Sequence, residues 1–322
     1  MVFVKCKNSI FLLNFTSILK SFPIFTEKLG IAKRFIMHRY RIHFCAILFL
    51  FSSLSLFSQD LCERIGACTS VGNAPLVKQA GGSYVEIGIS SFLVPDKEDS
   101  DFAQNLKAAL ESELPIQAGN IFFPGNFKLV GPDVDVDKIL TYAETAMKRA
   151  KQIGFKIFVL GSGGARRIPD DFDREKAKAQ FVDLCKKIAL LGEKYDVVIV
   201  IEPLRSQETN FIHTVRQGTE IVRAVNHPNL RVLADFYHMA CEDEDAQAIV
   251  EAGDLLYHCH IAEKAERTAP GVKGDDFTPY FKALKAINYK GSISLECNWR
   301  NFAEEIAPAI AEMKRQIHHV SK

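Results

Sequence analysis

From residue 60 onward the chain alternates between short apolar runs and longer amphipathic ones, eight times over, and few folds accept that pattern. The strand-like runs are RIGACTS (64–70), YVEIGI (84–89), IQAGNIFF (116–123), KIFVLGS (156–162), VVIVIEPL (197–204), LRVLADF (230–236), LYHCHIAE (256–263) and SISLECN (292–298). Helix-like stretches lie between most of them. DVDKILTYAETAMKRAKQIG runs from an acidic start to a glycine stop, and DREKAKAQFVDLCKKIALLGEKY behaves alike. TVRQGTEIVRAVN, EDAQAIVEAG, FTPYFKALKAIN and AEEIAPAIAEMKRQI follow. Eight strands each followed by a helix predict an α/β fold, a single-domain (β/α)8 TIM barrel over residues 60–322. An open doubly wound sheet alternates too, but it usually carries a glycine-rich phosphate loop after its first strand. CTSVGNAP in that place has no GxGxxG, and no Walker pattern occurs in the chain.

Lys and Arg number 40 against 39 Asp and Glu, a net charge of +1 that offers no footprint for nucleic acid. With 322 residues, 48% of them hydrophobic, the chain can bury a barrel-sized core. The N-terminus stands apart. MHRYRIHFCAILFLFSSLSLFSQD, from Met37, has a basic start (His38, Arg39, Arg41), an apolar stretch over 44–57 and then small and polar residues. Residues 37–59 therefore read as a signal peptide and 1–36 as an over-extended start. The expected location is periplasmic or secreted, with an uncleaved membrane anchor as the alternative and no other membrane contact. None of the cysteines forms a CxxC pair, so a zinc ribbon is not expected. Cys185, in a helical pattern, and Cys259 and Cys297, in strand patterns, read as buried free thiols.

In such a barrel, functional side chains stand at the C-terminal ends of the strands. The last four runs end on Glu202, on Asp235 in LADFYHM, on His260 in HCHIAE and on Glu296 in SLECN. A single acid at a strand end commonly caps a loop or pairs with a base. Four metal-ligand side chains at equivalent places on successive strands would each be costly unpaired, and one shared cation satisfies them all. Three carboxylates and an imidazole suit a hard or borderline divalent ion, Mn²⁺ first, with Mg²⁺, Co²⁺ or Zn²⁺ as alternatives.

The segments EPLRSQETNF, ADFYHM, HCHIAE and SLEC resemble the xylose isomerase-like barrel superfamily. Within it they are similar to the sugar phosphate isomerase/epimerase group that includes D-tagatose 3-epimerase and hydroxypyruvate isomerase, and the resemblance covers roughly residues 64–315. It implies a divalent-metal-dependent sugar isomerase or epimerase acting on a small ketose or keto-sugar by proton transfer through a metal-stabilised enediolate. Carried over residue by residue, it makes Glu202, Asp235, His260 and Glu296 the metal ligands. Glu202 and Glu296 become the acid–base pair, on opposite faces of the substrate carbon. Glu208, six residues after Glu202, and His238, three after Asp235, become substrate contacts. Arg267, reached in HIAEKAERTAPG through a one-residue insertion, matches the arginine that follows the histidine ligand in the epimerases. The implied partner is a small-molecule sugar and not a nucleic acid, and the resemblance leaves room for a homodimer or homotetramer. Two rivals share the scaffold: an inosose dehydratase-like lyase on the same metal site, and an exported, non-catalytic sugar-binding barrel. The second has no need of four ligands plus Glu208 and His238. An apurinic-site endonuclease would need more strand-end histidines and a basic groove.

Several further residues carry open readings. Arg166 or Arg167, in GSGGARRIPDDFDREKA, could reach a substrate oxygen or phosphate, or be solvated loop charges. Glu86 alternates with Val85 and Ile87, so it either points into the barrel towards the chemistry or is a carboxylate paired within its layers. His258 shares a strand face with His260 and belongs one layer deeper, and His213 caps the loop after the fifth strand or its helix. Trp299 and Phe92 line a sugar pocket or join the core.

Overall fold

The computed structural model describes residues 61–321 and, ahead of them, the backbone of 3–6 and 9–12. Phe3–Cys6 pairs antiparallel with Ser9–Leu12, and these residues belong to the first of two units, Met1–Ser52. The signal-peptide reading of 37–59 lies outside the described residues. Among those residues no helix is long and apolar enough to cross a membrane.

The second unit, Ser53–Lys322, holds the barrel. Its strands are β1 (Ile65–Cys68), β2 (Tyr84–Gly88), β3 (Ile116–Asn120), β4 (Ile157–Leu160), β5 (Val198–Ile201), β6 (Leu230–Asp235), β7 (Leu256–Ile261) and β8 (Ser292–Leu295). They are parallel and close in chain order, with β8 pairing back onto β1. Each lies inside its predicted run but stops earlier. The third run ends at Asn120 because Ile121 turns into the left-handed region, φ 51°. The fifth ends at Ile201, two residues before Pro203, which has no N–H for a ladder bond.

Helices follow where the capping chemistry put them. Asp135, Asp173 and Thr214 each accept a hydrogen bond from a backbone N–H of the first turn, and Gly154, Asp196 and Asn226 end the same three helices in the left-handed conformation. Two helices not read from the sequence, Ala74–Gln79 and Asp99–Leu110, complete the early part of the ring. Cys185 and Cys259 are buried free thiols as expected, while Cys297 is half-buried, its thiol donating to the Ile261 carbonyl at 3.5 Å.

Alternation along the strands divides side chains between the helix layer and the barrel interior. One large cluster joins Phe158, Ile199, Ile201, Val232, Ile293 and Leu295 to the helices. A second, separate cluster of Ala118, Ile157, Val159, Val200 and Leu233 takes the opposite parity on β3–β6 and fills one half of the interior. The other half, from β2, β7 and β8, holds the buried polar set Tyr84, Glu86, His258, His260, Ser292 and Ser294. The interior is thus apolar on one side and hydrogen-bonded on the other.

The polar half depends on Gly66. The Tyr84 ring lies against this residue, where a Cβ would stand 2.3 Å from a ring carbon, and Tyr84 Oη reaches Ser294 Oγ at 2.8 Å. Gly66→Ala therefore overpacks the interior, at a cost of about 1–3 kcal/mol. For a domain of this size that lowers the melting temperature by about 2–4 °C per kcal/mol. Calorimetry on the variant checks it, and an unchanged transition would contradict the packing described.

Candidate active site

The four strand-end residues converge. Asp235 is the last residue of β6, His260 the penultimate of β7, and Glu202 and Glu296 follow β5 and β8 directly. Register aligns them: Asp235 pairs with His260, and Leu295, just before Glu296, pairs with Ile261. One donor atom from each of Glu202, Asp235, His260 and Glu296 lies within 4.8 Å of the others. His260 Nδ1 is 3.0 Å from both Glu202 Oε1 and Glu296 Oε2.

Glu86 fixes which face of His260 is presented. Its Oε1 accepts from His260 Nε2 at 3.0 Å, so that nitrogen is committed to Glu86 and Nδ1 is the one turned towards the carboxylates of Glu202 and Glu296. Glu86 Oε2 accepts from His258 Nε2 at 3.0 Å and from Ser294 Oγ at 2.5 Å. Behind it, His258 Nδ1 accepts from Ser292 Oγ at 3.1 Å, and Ser292 accepts from Gln117 Nε2 at 2.9 Å. Both readings of Glu86 therefore hold: it points into the barrel and is paired there. Burial alone would raise its pKa, but His260 and His258 hold it well below the carboxylate range. His258 sits one layer down, as expected, and burial pushes its pKa down. Burial also opposes charge on His260, yet Glu86 and Glu296 hold its pKa well above the imidazole range.

The two expected acid–base carboxylates differ. Burial, then the charge of Glu296, pushes Glu202 above the ordinary range. Glu296 is half-buried, which raises it too, but His260 and Arg267 hold it at about 2. Arg267 comes from the loop after β7. Its guanidinium donates to Asp235 Oδ2 at 3.1 Å and to Glu296 Oε2, its Nε donates to the Glu296 carbonyl at 3.0 Å, and it lies 4.8 Å over the Tyr237 ring. Asp235 Oδ1 caps the short helix Phe236–Cys241, accepting from Tyr237 N at 2.8 Å, so its two oxygens face different elements.

A cavity of about 320 Å³ opens over this cluster, lined by Glu202, Glu208, His238, Arg267, Glu296 and Asn120 among others. His238 Nδ1 accepts from the Arg205 N–H at 3.2 Å, which leaves Nε2 as the protonated nitrogen. Nε2 is buried with no hydrogen-bond partner, 3.5 Å from Asp235 Oδ2, and so is a ready donor to an oxygen in the cavity. Glu208 Oε1 accepts from Arg205 Nε at 2.7 Å. All seven site residues read from the sequence thus meet at one mouth.

The readings left open resolve in different ways. Arg166 does not reach the cavity. The turn at Ser162, φ 41°, folds the chain back, and the buried guanidinium donates to the carbonyls of Leu160 at 3.1 Å and Ile212 at 3.3 Å. Burial lowers its pKa to about 10. Arg167 stays on the surface, near the Glu208 carbonyl. Trp299 and Phe92 pack against the core and do not line the cavity, Trp299 edge-on to Phe302 at 5.0 Å. His213 Nδ1 meets the Leu204 carbonyl at 3.1 Å, pinning the loop after β5.

Two residues went unread. Asn120 Nδ2 donates to Glu296 Oε1 at 2.7 Å across the mouth. Glu263, fully buried, accepts from Gly271 N (2.9 Å), Gly274 N (2.9 Å), Lys273 N (2.6 Å) and Thr268 Oγ1 (2.8 Å), and so shapes the loop that delivers Arg267. Period two along the third run, from Ala118 to Asn120, was the available signal for the first.

The donor set fits a divalent ion. Glu202, Asp235 and Glu296 gather around the Arg267 guanidinium and His260 Nδ1, a cluster that offers three oxygen donors and one nitrogen. Asn120, Arg267 and Glu86 supply the outer hydrogen bonds that hold such ligands.

Comparison with known proteins agrees with the architecture. The sequence profile of the family described as Xylose isomerase-like TIM barrel matches residues 74–318. An L-ribulose 3-epimerase from Methylomonas sp. (strain DH-1) is 30% identical over 258 residues, covering 74% of this chain and 88% of that one. A "Probable ketose 3-epimerase" from Synechocystis sp. is 29% identical over 161 residues, and the match spans about half of each chain, 49% of this one and 55% of that one. In structure, the D-psicose 3-epimerase of Clostridium cellulolyticum H10, crystallised with D-tagatose, superposes with a TM-score of 0.66 at 20% identity, over 80% of this chain and 98% of that one. The chain belongs to the xylose isomerase-like TIM barrel family.

Proposed function

We propose that the protein is a divalent-metal-dependent epimerase or isomerase of a small ketose or keto-sugar. The observation that carries this reading is a pair of unlike carboxylates, Glu202 and Glu296, each 3.0 Å from the same imidazole nitrogen at the floor of one cavity. The relatives that bear the names of sugar epimerases support the substrate class. Glu202, Asp235, Glu296 and His260 Nδ1 would hold the ion, and their hard oxygen donors favour Mn²⁺. When bound, it would supply Lewis acidity towards a carbonyl and its neighbouring hydroxyl, easing removal of the α proton.

The chain's own residues account for the rest. One of Glu202 and Glu296 removes the proton and the other returns it to the opposite face, which inverts the centre. Return to the neighbouring carbon gives aldose–ketose isomerisation instead. His238, donating through Nε2, Glu208 accepting, and Arg267 over the cluster orient the hydroxyls. The signal-peptide reading of 37–59 would place this chemistry outside the cytoplasm.

Incubation of the protein with Mn²⁺ and a panel of free ketoses in D₂O tests the reading. Deuterium at C3 with inverted product is expected of an epimerase, and label at C1 or C2 with an aldose product of an isomerase. No exchange with any ketose would overturn both. Glu296→Gln, which keeps size and shape, is expected to slow exchange by about 10²–10⁴ without lowering the melting temperature measured in EDTA. An exchange rate within about twofold of the parent would remove Glu296 from the chemistry.

Removal of the ion gives a readout free of substrate. Folding linkage to a ligand at a hundred times its Kd amounts to about 2.7 kcal/mol. Dialysis against EDTA should therefore lower the melting temperature by about 5–10 °C in a domain of this size, and Mn²⁺ should restore it. Indifference of the transition to both treatments would argue against a metal at these four residues.

A further inference from the structure

Glu202 and Glu296 are held in place by different means. The Glu202 side chain is 6% exposed and packs against Gly161, where a Cβ would fall 2.1 Å from Glu202 Oε2. Packing alone leaves its carboxylate little room to turn. The Glu296 side chain is 19% exposed and borders the open cavity. The terminal torsion of a glutamate is broad and roughly two-fold, so an unpacked carboxylate plane is free to rotate unless hydrogen bonds fix it.

We infer that Asn120 is a positioning residue for Glu296, its amide fixing the plane of that carboxylate. The two oxygens of Glu296 are divided. Oε2 faces His260 Nδ1 at 3.0 Å and takes the Arg267 guanidinium, and Oε1 takes Asn120 Nδ2 at 2.7 Å. Arg267 sits on a long loop, at the second of two successive left-handed residues, Glu266 (φ 61°) and Arg267 (φ 54°). Asn120 is the more rigid anchor, as the last residue of β3. The chain leaving it is clamped at once: Phe122 and Phe123 are fully buried, and Phe123 N donates to Ser162 Oγ at 3.0 Å. Between anchor and clamp stands Ile121, a β-branched residue held at φ 51° and 53% exposed at the cavity rim. A branched side chain in that region is strained, and strain of this kind persists where the surroundings require the geometry. The strained turn sets the direction in which the Asn120 amide leaves the strand.

The kinetic part of this inference rests on the epimerase reading, and the metal-binding part does not. The test compares the parent with Asn120→Ala and with Asn120→Asp, which fills the same volume but has no amide donor. At saturating Mn²⁺, kcat for deuterium exchange into the substrate should fall about 10- to 100-fold in both, with KM within about threefold. Circular dichroism melting of the metal-free proteins, in EDTA, should give the parental temperature for Asn120→Ala. Titration calorimetry should show Mn²⁺ binding to Asn120→Ala about tenfold more weakly than to the parent. Should the parent exchange no sugar, the functional reading fails, and calorimetry alone decides the role of Asn120. Parental Mn²⁺ affinity in Asn120→Ala would overturn the inference. So would a rise in KM with kcat unchanged, which marks a substrate contact, or a loss of activity matched by a loss of melting temperature, which marks a purely structural role.

Discussion

The arrangement of the mouth depends on one buried carboxylate, Glu86, near the axis of the barrel. A carboxylate with no access to water is costly unless its lone pairs are filled, and here three donors fill them: His258, His260 and Ser294. Because the carboxylate only accepts, both imidazoles must present Nε2–H to it. That leaves His260 Nδ1 facing Glu202 and Glu296, and His258 Nδ1 accepting from Ser292. A single side chain on β2 thus orients two imidazoles on β7 and selects the nitrogen turned towards the site. Filling that half of the interior with aliphatic side chains, like those on β3–β6, would leave the orientation of His260 undetermined.

The contrast between Glu202 and Glu296 follows from the same geometry. Glu202 is buried and Glu296 half-buried, and loss of water raises both. Only Glu296 has a guanidinium and an amide as direct partners, and with His260 the guanidinium holds it at about 2. Glu202 shares His260 with Glu296, has no guanidinium partner, faces Glu296 and Asp235, and stays above the ordinary range.

The barrel and the convergence of its last four strand ends were legible because each rests on a local signal. Apolar runs of strand length, capped helices between them, and a carboxylate or imidazole closing a run need no knowledge of tertiary contacts. Asn120 escaped because the third run was read three residues too long, which hid the parity of its end. The physical end of that strand is a left-handed isoleucine, and composition gives no hint of it. Arg166 escaped in the other direction. An arginine in a glycine-rich loop after a strand reads as a mobile cation, but the turn at Ser162 takes it inward to two backbone carbonyls. Trp299 and Phe92 show the same limit: aromatics after strands may face either a cavity or a helix, and the connecting turn decides.

Arg267 shows how far such a turn can be specified from a distance. Its guanidinium reaches Asp235 and Glu296 although it stands in a long loop with two left-handed residues in succession. Backbone of that kind does not hold itself, and a loop free to relax would take the cation away from the cluster. Glu263 prevents this. Two residues beyond the end of β7, it gathers four backbone N–H groups and a hydroxyl onto one buried carboxylate and closes the loop on itself. The Arg267 carbonyl is tied to Asn298 N at 2.8 Å, so the loops after β7 and β8 are fixed to each other. Loss of Glu263 would strand those N–H groups and release the one cation that borders both Asp235 and Glu296. The charge balance of the mouth is thus set by two buried glutamates outside the ligand cluster, Glu86 beneath it and Glu263 beside it. Each acts by accepting hydrogen bonds that leave a neighbouring element a single conformation.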